Sequence, residues 1–232
     1  MLEHRPIVCV SGYRDEALLA DCAASIRALG WPIAYADGAY PLFLRRGEPW
    51  SSDRSATFAA LGGPPALWMD APRDAPWPSE AAKKAALLAA VDGSPIDGGW
   101  TLWLDCDERL EAPLGPGPVE VALAGLPGDV GLVRRWRPDH DPAPGGFLLP
   151  LLLRRGAGLT FRPPRDFDVF LGDSRAAWPG MEPGEGAGAA EVPVELLRVR
   201  HERRLRTMDR HNRNGEYQRR RRAAHPREHE SY

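Results

Sequence analysis

Apolar positions near the N-terminus follow two periods in turn. Ile7-Val8-Cys9-Val10 is a short apolar run rich in β-branched residues, which predicts a buried strand. Ser11-Gly12 breaks it. Leu18, Leu19, Cys22, Ile26 and Leu29 then recur at helical spacing, with Asp15 and Glu16 suited to the positive helix N-terminus. Gly30 and Pro32 end that helix, and Ile33-Ala34-Tyr35-Ala36 predicts a second strand stopped by Asp37-Gly38. Two short strands bridged by a helix predict parallel pairing through a right-handed crossover.

Residues 41–78 hold many Pro, Gly and Ser and read as irregular. Ser79 then caps an Ala-rich helix over 80–91. Trp100-Thr101-Leu102-Trp103-Leu104 predicts a strand that runs into Asp105-Cys106-Asp107-Glu108. The second half predicts a helix over 119–126 and strands over 130–136 and 147–153, paired as a hairpin, with a further strand at 159–161. A Gly- and Pro-rich loop over 179–190, a last strand over 195–200 and a basic helix over 205–222 complete the reading.

Composition adds bounds. The chain has 232 residues, 43% of them hydrophobic and 27% charged, which fits one domain with a real core. Gly and Pro number 24 each, so loops are plentiful. No apolar run is long enough to span a membrane, and the N-terminus lacks a signal-peptide core. The three cysteines, Cys9, Cys22 and Cys106, are too few for a disulfide framework or a zinc cluster. A reducing, cytoplasmic location is therefore expected. The net charge of −2 is uneven: residues 198–232 hold 12 Arg against 5 acids, so an acidic body carries a basic tail. Such a tail either docks on its own body or meets a polyanion.

In an open α/β sheet, ligands bind beyond the carboxyl ends of the strands. Three polar clusters fall at such ends: residues 11–16, Asp37, and residues 105–108. Asp105 and Asp107 are two apart just after a strand; an extended chain points both the same way, and a turn lets one reach outward through water. Carboxylates held close repel, and a hard cation such as Mg²⁺ or Mn²⁺ relieves this, with a diphosphate completing its shell.

The order of these features resembles glycosyltransferases of the GT-A fold, especially those of the family 2 type. Tyr13-Arg14-Asp15-Glu16 follows the first strand, Asp37 ends the second, Lys83 or Lys84 lies on a helix upstream, and Asp105-Cys106-Asp107 with Glu108 forms the acidic motif. The resemblance covers residues 6–112 closely and 130–206 loosely. It implies an α/β fold of GT-A (Rossmann-like) type: a mixed sheet, mostly parallel in its N-terminal half, with helices on both faces. Residues 1–112 would form the nucleotide-sugar-binding half, 113–200 the acceptor side, and 201–232 a basic helix or tail.

The implied activity is metal-dependent transfer of a sugar from a nucleoside-diphosphate sugar to an acceptor hydroxyl. The resemblance implies donor contacts from Ser11, Tyr13, Arg14, Asp37, Lys83, Lys84 and Asp105, and Mn²⁺ or Mg²⁺ held by Asp105, Asp107 and His201. Neutral imidazole is an acceptable ligand for Mn²⁺; His211 and His225, set among arginines, are poorer choices. An inverting mechanism also needs a carboxylate base, for which Asp166 and Asp168 are the late acidic choices. Arg203, Arg204 or Arg206 could clamp the diphosphate, while residues 219–222 stay solvated or bind a polyanion. Two alternatives are weaker. A sugar-phosphate nucleotidyltransferase would show repeated glycines after the first strand, which Ser11-Gly12-Tyr13-Arg14 lacks. A nucleic-acid-binding protein acting through its arginines would leave the acidic rim unexplained.

Overall fold

The computed structural model describes residues 4–138, 141, 146–162, 167–186, 188–202, 212, 215–217, 219–220 and 223. Their elements, in chain order, are β1 (Pro6–Gly12), α1 (Glu16–Arg27), β2 (Ile33–Asp37), α2 (Arg54–Leu61), β3 (Leu67–Met69), α3 (Glu80–Asp92), β4 (Trp100–Asp105) and β5 (Glu108–Glu111). Then follow α4 (Pro116–Ala124), β6 (Val130–Trp136), β7 (Phe147–Arg154), β8 (Leu159–Phe161), β9 (Val169–Leu171), β10 (Ser174–Ala177), β11 (Ala190–Glu191) and β12 (Arg198–His201).

The helices form where periodicity and caps agree. Helix α1 buries Leu18, Leu19, Cys22, Ala23 and Ile26, the apolar stripe of the sequence. Helix α3 starts at Ser79, whose side chain accepts the Ala82 N–H. The stretch 41–78 departs from the irregular reading, because it contains α2 and β3. Both are too short for a periodic signal; the signal was in the caps. Asp53 accepts the N–H groups of Ser55 and Ala56, and Gly62 closes the helix at φ 75°.

Other boundaries move for local reasons. Helix α4 begins at Pro116, because proline suits the first helical turn. The last strand is 198–201 instead of 195–200, since Leu196 and Leu197 turn back to hydrogen-bond the Pro193 carbonyl. Strands β5, β9, β10 and β11 answer no sequence expectation. Residues 212, 215–217, 219, 220 and 223 are helical, and the other positions of the expected helix over 205–222 lie outside the described residues.

Among the described residues, nine strands form one curled mixed sheet in the order β3-β2-β1-β4-β7-β6-β12-β5, with β11 also on β6. Strand β1 pairs in parallel with β2 and β4, and β2 with β3. Strand β7 lies antiparallel between β4 and β6. At the far edge β12 is parallel to β6 and antiparallel to β5. A second, antiparallel sheet has the order β10-β9-β8.

This order reverses at β1. The chain moves outward through β2 and β3, then returns across β1 to lay down β4. Right-handed crossovers send α1 and α2 to one face and α3 to the other. The contacts agree, with α1 on α2 and α3 on β1, β2 and β8. Trp103 of β4 is fully buried, its ring 4.8 Å from that of Phe161 and nearly perpendicular to it, which ties the small sheet to the large one. No helix among the described residues is long and apolar enough to cross a membrane. All three cysteines are buried and none is in a disulfide.

Candidate functional site

A reversal of strand order opens a crevice at the carboxyl ends of the strands on either side of it. The register brings the expected residues to that rim: Ser11 pairs with Asp105 and Gly12 with Asp37. What each side chain does there differs from one end of the rim to the other.

At the β1–β2 end the rim is roofed. Asp37 is buried; its Oδ2 accepts the Ser52 N–H at 2.9 Å and its carbonyl accepts Trp77 Nε1–H at 2.7 Å. Its Oδ1 is buried without a hydrogen-bond partner. Gly38 follows at φ 106°, and a β-carbon there would collide with Ala71 and crowd the Trp50 carbonyl. Directly beyond stands a cavity of about 450 Å³, lined by Pro49, Trp50 and Ser51 on one wall and Asp70, Ala71, Pro72 and Arg73 on the other. These lining residues carried no sequence motif; only the fold assembles them.

Tyr13 is buried and its hydroxyl donates to the Pro49 carbonyl, so it holds the roof instead of facing open space. Arg14 has φ 53°, its N–H bonded to Ser52 Oγ at 2.9 Å and its exposed guanidinium 3.7 Å from Glu48. The roof is braced from the C-terminal segment. The Tyr217 ring packs 5.4 Å from Tyr40 and 5.9 Å from Phe43, and Arg45 pairs with Glu216 at 3.2 Å. Arg220 donates to the carbonyls of Leu42 and Leu44 at 3.3 and 2.7 Å. Arg220 stays exposed, as expected of the arginine run, and at the same time ties the C-terminal segment to the roof through these loop carbonyls.

The two lysines part ways. Lys83 is buried and donates to the carbonyls of Gly12 and Gly38 at 2.7 and 2.6 Å, stapling the ends of β1 and β2. Burial, partly offset by Asp37, lowers its pKa from 10.5 to about 8. Lys84 stands 3.2 Å from Glu80 and 3.4 Å from the centre of the Phe167 ring. Both ammonium groups thus serve the framework under the rim. Asp168, expected as a base, is buried and bonded to Arg175 at 2.8 Å inside the small sheet. Asp166, Arg203, Arg204, Arg206, His211 and His225 lie outside the described residues.

At the β4 end the acidic motif is a tight turn. Glu108 reaches back so that its Oε2 accepts the Asp105 N–H at 2.9 Å, and the chain reverses into β5. Asp105 keeps a half-buried carboxylate at the rim. Of the two, Asp107 is the one carried inward past the turn and buried. There it meets His201, paired across from Glu108 on β12, with Asp107 Oδ2 2.8 Å from His201 Nε2. Arg135 of β6, which the sequence reading passed over, completes the group: its Nη2 bonds His201 Nδ1 and its Nε lies 3.0 Å from Glu108 Oε1. Burial, opposed by Arg135 and reinforced by Asp105 and Asp107, raises the Glu108 pKa from 4.5 to about 8.

These residues do not fit the expected cation. Among the described residues no three His, Cys, Asp or Glu side chains converge as metal ligands. Asp107 and His201 do meet, but the other ring nitrogen of a metal-bound histidine normally donates its proton to an acceptor. Here that nitrogen faces a guanidinium, which has only donors.

Compared with known proteins, the chain matches no family model and no curated sequence.

Proposed function

We propose that this chain is a glycosyltransferase that takes its sugar from a nucleoside-diphosphate sugar and delivers it to an acceptor hydroxyl. The observation that carries this reading is the cavity of about 450 Å³ at the ends of β2 and β3, with the buried, half-satisfied Asp37 directly behind its wall. A flat heterocycle suits a cleft walled by Trp50, Ala71 and Pro72, and Ser51 and Asp70 supply edge hydrogen bonds. The reversal between β1 and β4 supports the same reading, because a ligand entering at the base cavity runs along the rim toward Asp105. Asp105 would accept ribose hydroxyls, and the exposed Arg14 would face the diphosphate. The family resemblance in residues 13–16, 37 and 105–108 agrees in order and spacing.

Residues around the rim hold this arrangement in place. Lys83 fixes the ends of β1 and β2, Ser52 orients Asp37, and Tyr13 ties the first turn to the roof.

A thermal-shift panel of UDP-, GDP- and dTDP-sugars on the full chain tests the reading. A donor that binds only the folded state at a hundred times its Kd adds about 2.7 kcal/mol of stability. One base is expected to raise the midpoint, and Trp50→Ala is expected to abolish that rise. A panel in which no nucleotide sugar moves the midpoint overturns the proposal.

A further inference from the structure

Four side chains from β5, β6, β12 and the turn before β5 form one chain of contacts. It runs from Glu108 Oε1 to Arg135 Nε at 3.0 Å, from Arg135 Nη2 to His201 Nδ1, and from His201 Nε2 to Asp107 Oδ2 at 2.8 Å. Glu108 is fully buried, Asp107 and His201 nearly so, and the Arg135 side chain is 15% exposed. The order of charge is acid, cation, imidazole, acid.

Donor and acceptor counting fixes the imidazole. A guanidinium has five N–H donors and no acceptor. The hydrogen between Arg135 and His201 therefore belongs to Arg135, and Nδ1 must offer its lone pair. A neutral imidazole then carries its single proton on Nε2, where the Asp107 carboxylate accepts it. Ligation of a cation through Nε2 would need the opposite tautomer. That tautomer would turn an Nδ1–H against an N–H of Arg135, two donors facing each other in a site with little water.

We infer that Arg135 is a positioning residue that locks His201 as the Nε2–H tautomer, donating to Asp107, so that His201 is not a ligand for a divalent cation. The guanidinium is the resident cation of this cluster, lying against the Glu108 carboxyl and reaching the Asp107 carboxylate through His201. This does not depend on the donor reading, because it concerns only where one proton sits. The side of the rim that resembles a metal motif is thereby a preassembled cluster, with an ion-pair contact between Glu108 and Arg135 and hydrogen bonds from Arg135 to His201 and from His201 to Asp107. It holds the Asp105 turn in shape through Glu108, whose Oε2 bonds the Asp105 N–H.

The test is long-range ¹H–¹⁵N correlation NMR on the full chain labelled with ¹⁵N-histidine. His201 is assigned as the set of resonances missing from His201→Gln. The expected wild-type pattern is a pyridine-type Nδ1 and a pyrrole-type Nε2, with no selective loss of the His201 signals on adding Mn²⁺. A pyrrole-type Nδ1, or selective Mn²⁺ broadening of His201 reversed by EDTA, overturns the inference. In Arg135→Met, checked for a cooperative melt, the Nδ1–H form is expected to appear alongside the other. In Arg135→Lys the Nε2–H form is expected to persist, because an ammonium also only donates. A folded Arg135→Met with the wild-type tautomer, or an Arg135→Lys that moves the proton to Nδ1, removes Arg135 from the role. The wild-type spectra decide the tautomer and the cation question even where Arg135→Met does not fold.

Discussion

At the ends of β2 and β3 an acidic residue stands behind an open cavity, whereas past the end of β4 two acids, a histidine and an arginine close on one another. Both regions look alike in sequence, each a carboxylate set directly after an apolar strand. What separates them is how the carboxylate is engaged: Asp37 feels the nearby Lys83 ammonium and accepts a backbone N–H, whereas Asp107 is bonded directly to a side chain, His201. Asp37 receives backbone N–H and leaves one oxygen unpartnered, beside a volume large enough for a ligand. Asp107 receives a full partner in His201, backed by Arg135. Both carboxylates are buried, so the difference lies in partners: an acidic strand end keeps acceptor capacity to spare only where one of its oxygens is left unpartnered, as in Asp37.

The closed cluster is the more costly to break. Above about pH 8, where Glu108 is ionised, Arg135→Met leaves this fully buried carboxylate without its ion partner, which is expected to lower stability by about 3–5 kcal/mol. That is a large share of the roughly 5–15 kcal/mol typical of a domain. Urea unfolding reads the loss directly. A change near zero would put Glu108 and Arg135 in an ordinary surface pair and erase the contrast between the two regions.

The roofed cavity is braced by one buried ring from the C-terminal segment. Tyr217→Ala removes an aromatic side chain that packs on Tyr40 and Phe43, and is expected to lower stability by about 1.5–3 kcal/mol. It should also weaken any nucleotide-induced shift, since segment 39–52 is the roof over Asp37. Equal thermal shifts in Tyr217→Ala and wild type would sever the C-terminal segment from the cavity.

The smallest effect per step is also the sharpest comparison, because each region holds one buried ion of opposite sign. Glu108 has its folded pKa raised from 4.5 to about 8, so the folded state holds an extra proton between those values and stability falls as pH rises through that window. Lys83 has its folded pKa lowered from 10.5 to about 8, so the folded state holds fewer protons from there upward and stability rises with pH. Each slope approaches about 1.4 kcal/mol per pH unit inside its window. These two groups together produce a stability minimum near pH 8. Urea midpoints across pH should lose the descending arm in Glu108→Gln and the ascending arm in Lys83→Met. A variant that keeps its arm would show that the group titrates in the folded protein as it does in the unfolded chain.

Particular residues show where the sequence sufficed. Ile7 to Val10 and Trp100 to Leu104 are strands because apolar runs of that length bury on both faces. Ser79 as cap and the alanines after it favour a helix at α3 from local sequence alone. The expected hairpin of 130–136 with 147–153 is present as the antiparallel β6–β7 pair. Asp37 and Asp105 reach one rim because they end strands flanking β1. These outcomes depend on local period and on the right-handed crossover, both of which can be read along the chain.

The fates of the polar side chains could not be read that way. Lys83 and Lys84 are adjacent and chemically identical, yet one staples two carbonyls and the other meets Glu80 and Phe167, since consecutive helix positions point about 100° apart. Asp107, Arg135 and His201 meet only because β12 inserts between β6 and β5, a pairing between segments far apart in the chain. Sequence alone determined the longer elements, β1, β2, β4, β6, β7, α1 and α3, because that choice is settled by neighbours within a few residues, while the short β5, β9, β10 and β11 depend on their sheet partners. Tertiary structure decided which charges are neutralised, because desolvation and counter-charge depend on groups from distant segments.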